Sequence, residues 1–416
     1  MTVGFLALFY FARLAWEVER FSSNQGLLAH RAIEEAYPFL WQPLFRHQTS
    51  DGFMLSLFAL ACFVSFLLIL GVKCRVCSVA LYFLAVCSYR WNFQIVSVDD
   101  GLMHLFLFWL IVLPLDKAHR GEPVSGVGYR LLSVNLSLLY LVAGLSKWTS
   151  PMWREGSALS SVLQLPGAWF PEMSLMPPLL LSVATWGVLV LEPSFAILPW
   201  LKKGPWRTAL AVVWFVFHLS TAIVMDVALA NLLCLSTGWF LFAEAEASES
   251  GNWTKSEKFA ALVLVNLVFA MVYSCFQQPW RQPGQAMTTR HCSESGDLVQ
   301  RTLYGGLWVV GLAQQYRLLD WIDERDFSLD FKAEGEMDSR VLTLREGIAL
   351  SYLSEVTWLP LPPEVADQVR NLSIRRWSQY LAPRLGHVDG TVQVFLYRTH
   401  PGASSAATLI LDTEAQ

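Results

Sequence analysis

The sequence predicts an α-helical multi-pass integral membrane protein of about nine transmembrane helices, with a small α+β extracytoplasmic domain at its C-terminal end. Three observations carry this. Of the 416 residues 54% are hydrophobic and only 15% charged, with a mean hydropathy of +0.40, whereas soluble domains carry about 25% charged residues. Apolar runs recur at or near the length of about 20 residues that crosses the hydrocarbon of a bilayer as a helix. Beyond Asp320 the composition returns to that of an ordinary soluble domain. A net charge of −4 gives no basic face for nucleic acid.

The first span is Met1 to Trp16, with Arg13 and Glu17 near its end. It lacks the charged leading region and small-residue cleavage site of a secretory signal. The following spans are Phe53 to Val72, Ser78 to Tyr89, Leu102 to Leu115, Leu131 to Gly144, Leu179 to Leu201, Thr208 to Met225, Leu229 to Phe242 and Phe259 to Phe276. The second to fourth of these are short and are expected to extend into their flanking polar residues. Basic residues set the orientation. Lys73 and Arg75, then Lys117, Arg120 and Arg130, then Lys202, Lys203 and Arg207, then Lys255 and Lys258 fall in alternate connections. The connections around Asp99 and Asp226 are nearly free of them. The basic side is therefore read as cytoplasmic, with the amino terminus inside and everything after the ninth span outside. Arg20, Arg31 and Arg46 in the long first loop run against this rule without reversing it.

The chain divides into a transmembrane helical region 1–276, a connector 277–319 and an extracytoplasmic C-terminal domain 320–416. Gln277 to Asp297, with Pro279, Pro283 and Gly284, reads as exposed chain, and Tyr304 to Leu319 as a short interfacial helix. In the last part Phe327 to Phe331, Thr391 to Tyr397 and Ala407 to Leu411 alternate as strands do, and Pro363 to Leu381 has helical periodicity.

The seven cysteines are Cys62, Cys74, Cys77, Cys87, Cys234, Cys275 and Cys292. Cys74-Arg-Val-Cys77 is their one pattern. It sits in a short turn with no second C-x-x-C or histidine pair to complete a zinc site, and no metal centre is expected.

Ionisable residues inside a bilayer are costly and mark candidate sites. Four places stand out. Asp99 and Asp100 enter the span that holds His104, and Asp100 and His104 are four apart on one helix face. They form either a proton-transfer pair or an acidic helix N-terminus favoured by the macrodipole. Lys147 ends the string Tyr140-Leu-Val-Ala-Gly-Leu-Ser-Lys147, followed by Trp153-Arg-Glu-Gly156. It either snorkels to the interface or acts as a base from a low-dielectric pocket. Glu192 lies well inside its span, followed at once by Pro193, which frees a backbone carbonyl. His218 lies mid-span with Asp226 about two helical turns on, and a histidine there can bridge helices through hydrogen bonds.

At these residues the sequence resembles the vitamin K-dependent γ-carboxylase family and its bacterial relatives, the horizontally transferred transmembrane domain (HTTM) proteins. Tyr140-Leu141-Val142-Ala143-Gly144-Leu145-Ser146-Lys147 and Trp153-Arg154-Glu155-Gly156 carry the resemblance. Glu192 ahead of the basic turn Lys202-Lys203, and Phe217-His218, support it, from roughly the first span to Phe242. The resemblance implies a carboxylase-like membrane enzyme. Lys147 would be the base that deprotonates vitamin K hydroquinone or a related quinol, the cofactor only if that chemistry is retained. His218 and Glu192 would join it as catalytic residues, and Tyr140, Trp153, Asp99, Asp100 and His104 would be binding residues. Where the carboxylase has an Asn-His-Ser-Tyr string, this chain has Ser97-Val98-Asp99-Asp100-Gly101, as in the bacterial relatives. The carboxylase's large lumenal portion is replaced by the short tail. The implied setting is a bacterial inner membrane, with lipid and a secreted protein or peptide as partners. Two readings stand side by side: a membrane enzyme acting on a lipid-soluble substrate, and a non-catalytic scaffold for maturation, export or immunity of a secreted protein. A transporter is a weaker third, because no internal repeat or paired half-helix is visible.

Overall fold

The computed structural model describes residues 1–22, 50–91, 98–113, 115–116, 126–163, 168–238, 253–277, 307, 312 and four strands between 327 and 412. The protein is mostly helical. Helices α1 (Thr2–Trp16), α2 (Asp51–Ile69), α3 (Cys74–Trp91), α4 (Val98–Val112) and α5 (Val127–Thr149) come first. Two short helices follow, α6 (Pro151–Arg154) and α7 (Ala158–Val162). Then come α8 (Pro178–Phe195), α9 (Pro205–Val224), α10 (Ala228–Ser236) and α11 (Lys255–Gln277). Each apolar segment read as a span is helical along much of its length.

Four of these helices, α2, α5, α8 and α9, are individually long and apolar enough to cross a membrane. Their surfaces show why. In α2 the buried positions Met54, Phe58, Ala61, Ser65 and Leu68 recur at helical spacing, while Phe53, Leu55, Leu60, Phe63 and Phe66 are exposed. A helix apolar on its inner and outer faces suits hydrocarbon rather than water. In α9 only Ala211, Trp214 and His218 are buried, and Val212, Phe215, Val216, Leu219 and Ile223 face outward. The short helix α4 is the opposite case. Nearly every residue from Leu102 to Leu110 is buried, so α4 is the centre of the bundle and its neighbours meet the surroundings for it.

Sequential neighbours pair as α1 with α2, α3 with α4, and α9 with α10, whereas α5 pairs with α8. Helix α10 closes the bundle against α4 and α1, and α11 lies against α5 and α4. Hydrogen bonds sort the helix ends into two groups. At one end the Cys74 N–H donates to Asp116 Oδ1 at 2.8 Å, and the Gly128 N–H donates to Glu257 Oε1 at 3.2 Å. Glu257 also closes a capping box, accepting the Thr254 N–H at 2.8 Å while Thr254 Oγ1 accepts the Glu257 N–H at 3.2 Å. One carboxylate thus satisfies first-turn donors of α5 and α11 together. At the other end Arg13 of α1 reaches Asp99 of α4 and Asp226 between α9 and α10. The connections at Cys74 and Asp116, and at Gly128 and Glu257, therefore meet at one end of the bundle, and those at Asp99 and Asp226 meet at the other.

Apart from the helices, β1 (Phe327–Ala333), β2 (Glu336–Ser339), β3 (Thr391–Arg398) and β4 (Ala407–Asp412) form an antiparallel sheet of order β2-β1-β3-β4. In register, Asp330 pairs with Phe395 and Val394 with Leu409. The segments read as strands are β1, β3 and β4; β2, short and carrying two acidic residues, has no alternation to reveal it. The connector, nearly all of the helix expected at Tyr304 to Leu319, and the helix expected at Pro363 to Leu381 lie outside the described residues.

Candidate functional site

The contact between α5 and α8 builds the site, and Tyr140, Gly144, Lys147, Trp153 and Gly156 each have a part in it. Gly144 sets the distance. A Cβ there would stand 2.5 Å from Pro193 Cδ and 2.7 Å from Pro193 N, so only glycine lets the two helices touch at this level. Pro193 has no N–H and leaves the Leu189 carbonyl without its intrahelical donor. The Trp148 indole N–H supplies one, at 2.9 Å. Lower on the same seam Ser137 Oγ donates to the Ala196 carbonyl at 2.7 Å. Gly156, at φ +81°, turns the chain where a side chain is strained and packs against Ser182.

This seam puts Lys147, in the last turn of α5, against Glu192, about 20 Å along α8 at 1.5 Å per residue. Lys147 Nζ donates to Glu192 Oε2 at 2.7 Å. Nζ also lies 5.4 Å from the centroid of the Trp153 ring, within reach of a cation–π interaction. The Lys147 side chain is 2% exposed and that of Glu192 10%. Lys147 does not snorkel outward; it is enclosed, and the negative end of the α5 macrodipole favours its charge there. Among the described residues Lys147 donates one hydrogen bond, so a three-donor ammonium retains capacity for another molecule.

About two turns before Lys147 on α5, Tyr140 belongs to a second network. The Asn231 side-chain N–H donates to the Val227 carbonyl at 2.9 Å, which points Asn231 Oδ1 at His218 Nδ1, 2.7 Å away. Nδ1 therefore carries the proton and Nε2 is the acceptor. The Tyr140 hydroxyl donates to Nε2 at 2.8 Å and itself accepts from the Trp214 indole at 2.7 Å. Every bond in the chain Trp214, Tyr140, His218, Asn231 has one direction, set by a neutral His218 whose two ring nitrogens are committed to protein groups.

Asp99 and Asp100 belong to a separate cluster. Asp99 Oδ1 accepts the Ala230 N–H at 2.8 Å, and Asp99 Oδ2 accepts from Arg13 Nη1 at 3.3 Å. Arg13 also donates to Glu17 at 3.2 Å and stands 3.7 Å from Asp226. Asp100 Oδ1 accepts from the Tyr10 hydroxyl at 2.8 Å. His104 is fully buried, with its ring edge-on to Tyr82 at 6.5 Å. The first turn of α10 is shared, since Ala230 serves Asp99 and Asn231 serves His218. Sequence reading passed over Trp214, Asn231, Tyr10 and Ser150. Trp214 was within reach, four residues before His218 on the same face; Asn231 and Tyr10 meet their partners only through the fold.

Among the described residues no group of three or more His, Cys, Asp or Glu side chains is placed to hold a metal ion. No protein-family model, no curated protein and no solved structure matches the chain.

Proposed function

We propose that the protein is a membrane enzyme of the carboxylase-like, HTTM type in which Lys147 and Glu192 act as one acid–base pair on a quinol or similar lipid-soluble hydroxyl compound. The observation that carries this reading is the enclosed Lys147–Glu192 contact of 2.7 Å beside the Trp153 ring. A lysine paired in this way is an ammonium, and an ammonium is no base. The pair resolves the difficulty by moving one proton. Lys147 passes a proton to Glu192, leaving an amine and a carboxylic acid. The amine then takes the proton of the substrate hydroxyl. The net result is a protonated Glu192 and an ammonium facing the substrate oxyanion, which it stabilises in a low-dielectric site. Tyr140 and His218 brace the helix face that carries Lys147.

In this reading nine helices span a bacterial inner membrane. The end of the bundle with the basic connections is cytoplasmic, and the β1–β4 sheet belongs to an extracytoplasmic α+β domain that meets a secreted protein or peptide. The test is oxidation of a naphthohydroquinone by dissolved dioxygen, the two-electron acceptor that the quinol oxyanion reduces, with the purified chain in lipid nanodiscs, above the protein-free rate. Lys147→Met is expected to lower it by about 100-fold or more, and an equally active variant overturns the proposal. The second reading, a non-catalytic scaffold, is favoured by one observation: both ring nitrogens of His218 are spent on Tyr140 and Asn231. It predicts that no quinol is consumed and that only truncation of the tail abolishes the phenotype.

A further inference from the structure

The break between α5 and α6 holds a polar group that the networks above do not use. Ser150 is 1% exposed, and among the described residues its Oγ meets no hydrogen-bond partner. A serine preceding a helix ordinarily turns its oxygen onto the N–H groups of the first turn. Ser150 stands at that position of α6 and makes no such bond, with Pro151 following it. Its backbone N–H returns to the Lys147 carbonyl at 3.0 Å, so Ser150 is tied to the residue whose ammonium pairs with Glu192. One turn further on is Trp153, over which that ammonium lies. A buried hydroxyl without a partner forfeits its hydration for no return. Such a group asks for another molecule, a water or a ligand, to complete it.

We propose that Ser150 is a binding residue of this site, its hydroxyl holding an oxygen of a flat, uncharged aromatic hydroxyl compound. The substrate hydroxyl that gives up its proton faces Lys147, and Ser150 takes a second oxygen. Trp153, Met152, Val188 and Leu189, which pack together, supply the apolar wall. The inference rests on the acid–base reading above, and names a contact that the resemblance does not.

The test is equilibrium binding of 2-methyl-1,4-naphthohydroquinone, kept anaerobic, to the full chain in lipid nanodiscs, alongside thermal unfolding of each variant. Ser150→Ala is expected to weaken binding about five- to tenfold, the worth of one hydrogen bond, with an unchanged melting temperature. Lys147→Met is expected to bind more weakly as well. If Ser150→Ala binds like the wild type while Lys147→Met does not, the role of Ser150 is overturned and the acid–base reading survives. A lower melting temperature for Ser150→Ala with unaltered binding makes the hydroxyl a structural group and overturns the inference too. If the wild type does not bind the hydroquinone at all, the acid–base reading fails and takes this inference with it.

Discussion

Among the described residues, the Arg13 and Lys147 meetings of cation and carboxylate are built differently. Arg13 reaches three carboxylates, those of Asp99, Glu17 and Asp226. Asp99 is further held by a backbone N–H of α10, and the Arg13 side chain keeps 19% exposure. This cluster ties α1, α4 and α10 at one end of the bundle. Lys147 faces one carboxylate, is almost wholly enclosed, and rests on an aromatic ring with donors to spare. A many-to-one arrangement locks helix ends. A one-to-one pair whose proton can move between partners is suited to chemistry. Buried charge alone does not distinguish a tie from a site; the number of partners and the unused hydrogen-bonding capacity do.

The comparison can be broken by mutation. The largest effect is expected from Lys147→Met, which strands Glu192 as an uncompensated buried charge. Removing one member of such a pair costs about 3–5 kcal/mol, read as a lower unfolding midpoint, and quinol consumption falls as stated above. The double variant Lys147→Met/Glu192→Met is expected to regain most of the stability and none of the activity. Arg13→Met should cost a similar 3–5 kcal/mol, yet leave turnover per folded molecule near the wild-type value. Loss of turnover in folded Arg13→Met would show that the two clusters are not separate in role. Gly144→Ala comes next. Its new methyl meets Pro193 and must push α5 from α8, at about 1–3 kcal/mol; turnover is expected to suffer more than stability, because Glu192 leaves Lys147. The smallest effect is expected of Tyr140→Phe, which leaves the Trp214 N–H and His218 Nε2 each without a partner, at about 1–3 kcal/mol. A melting curve identical to wild type would show that the relay is not a brace.

Much of the helical architecture was legible because apolar runs are long and the proline, glycine and basic residues between them are local signals. Helix ends were less so. The span read from Leu131 was expected to extend into its flanks, and α5 does run Val127–Thr149, but its starting point depends on Glu257, distant in sequence, which takes the Gly128 N–H. Lys147, Glu192, His218 and Tyr140 were readable as polar residues in apolar surroundings. Their pairing was not. It depends on Gly144 meeting Pro193, and Pro193 is visible in the sequence only as the source of a freed carbonyl. Asp100 and His104 were grouped by their spacing; the bond of Asp100 to Tyr10 on another helix has no such local signal. Ser150 was unreadable, since a serine before a proline looks like any helix cap until its hydroxyl is seen to cap nothing.

The central claim is that Lys147 and Glu192 work as one coupled unit. A double-mutant cycle on Lys147→Met and Glu192→Gln, followed by thermal unfolding and by quinol consumption in nanodiscs, tests it most directly. A coupling of about 2–3 kcal/mol in stability, at the upper end for residues in contact, together with activity losses that do not add, is the expected result. Additive effects within about 0.5 kcal/mol would contradict it.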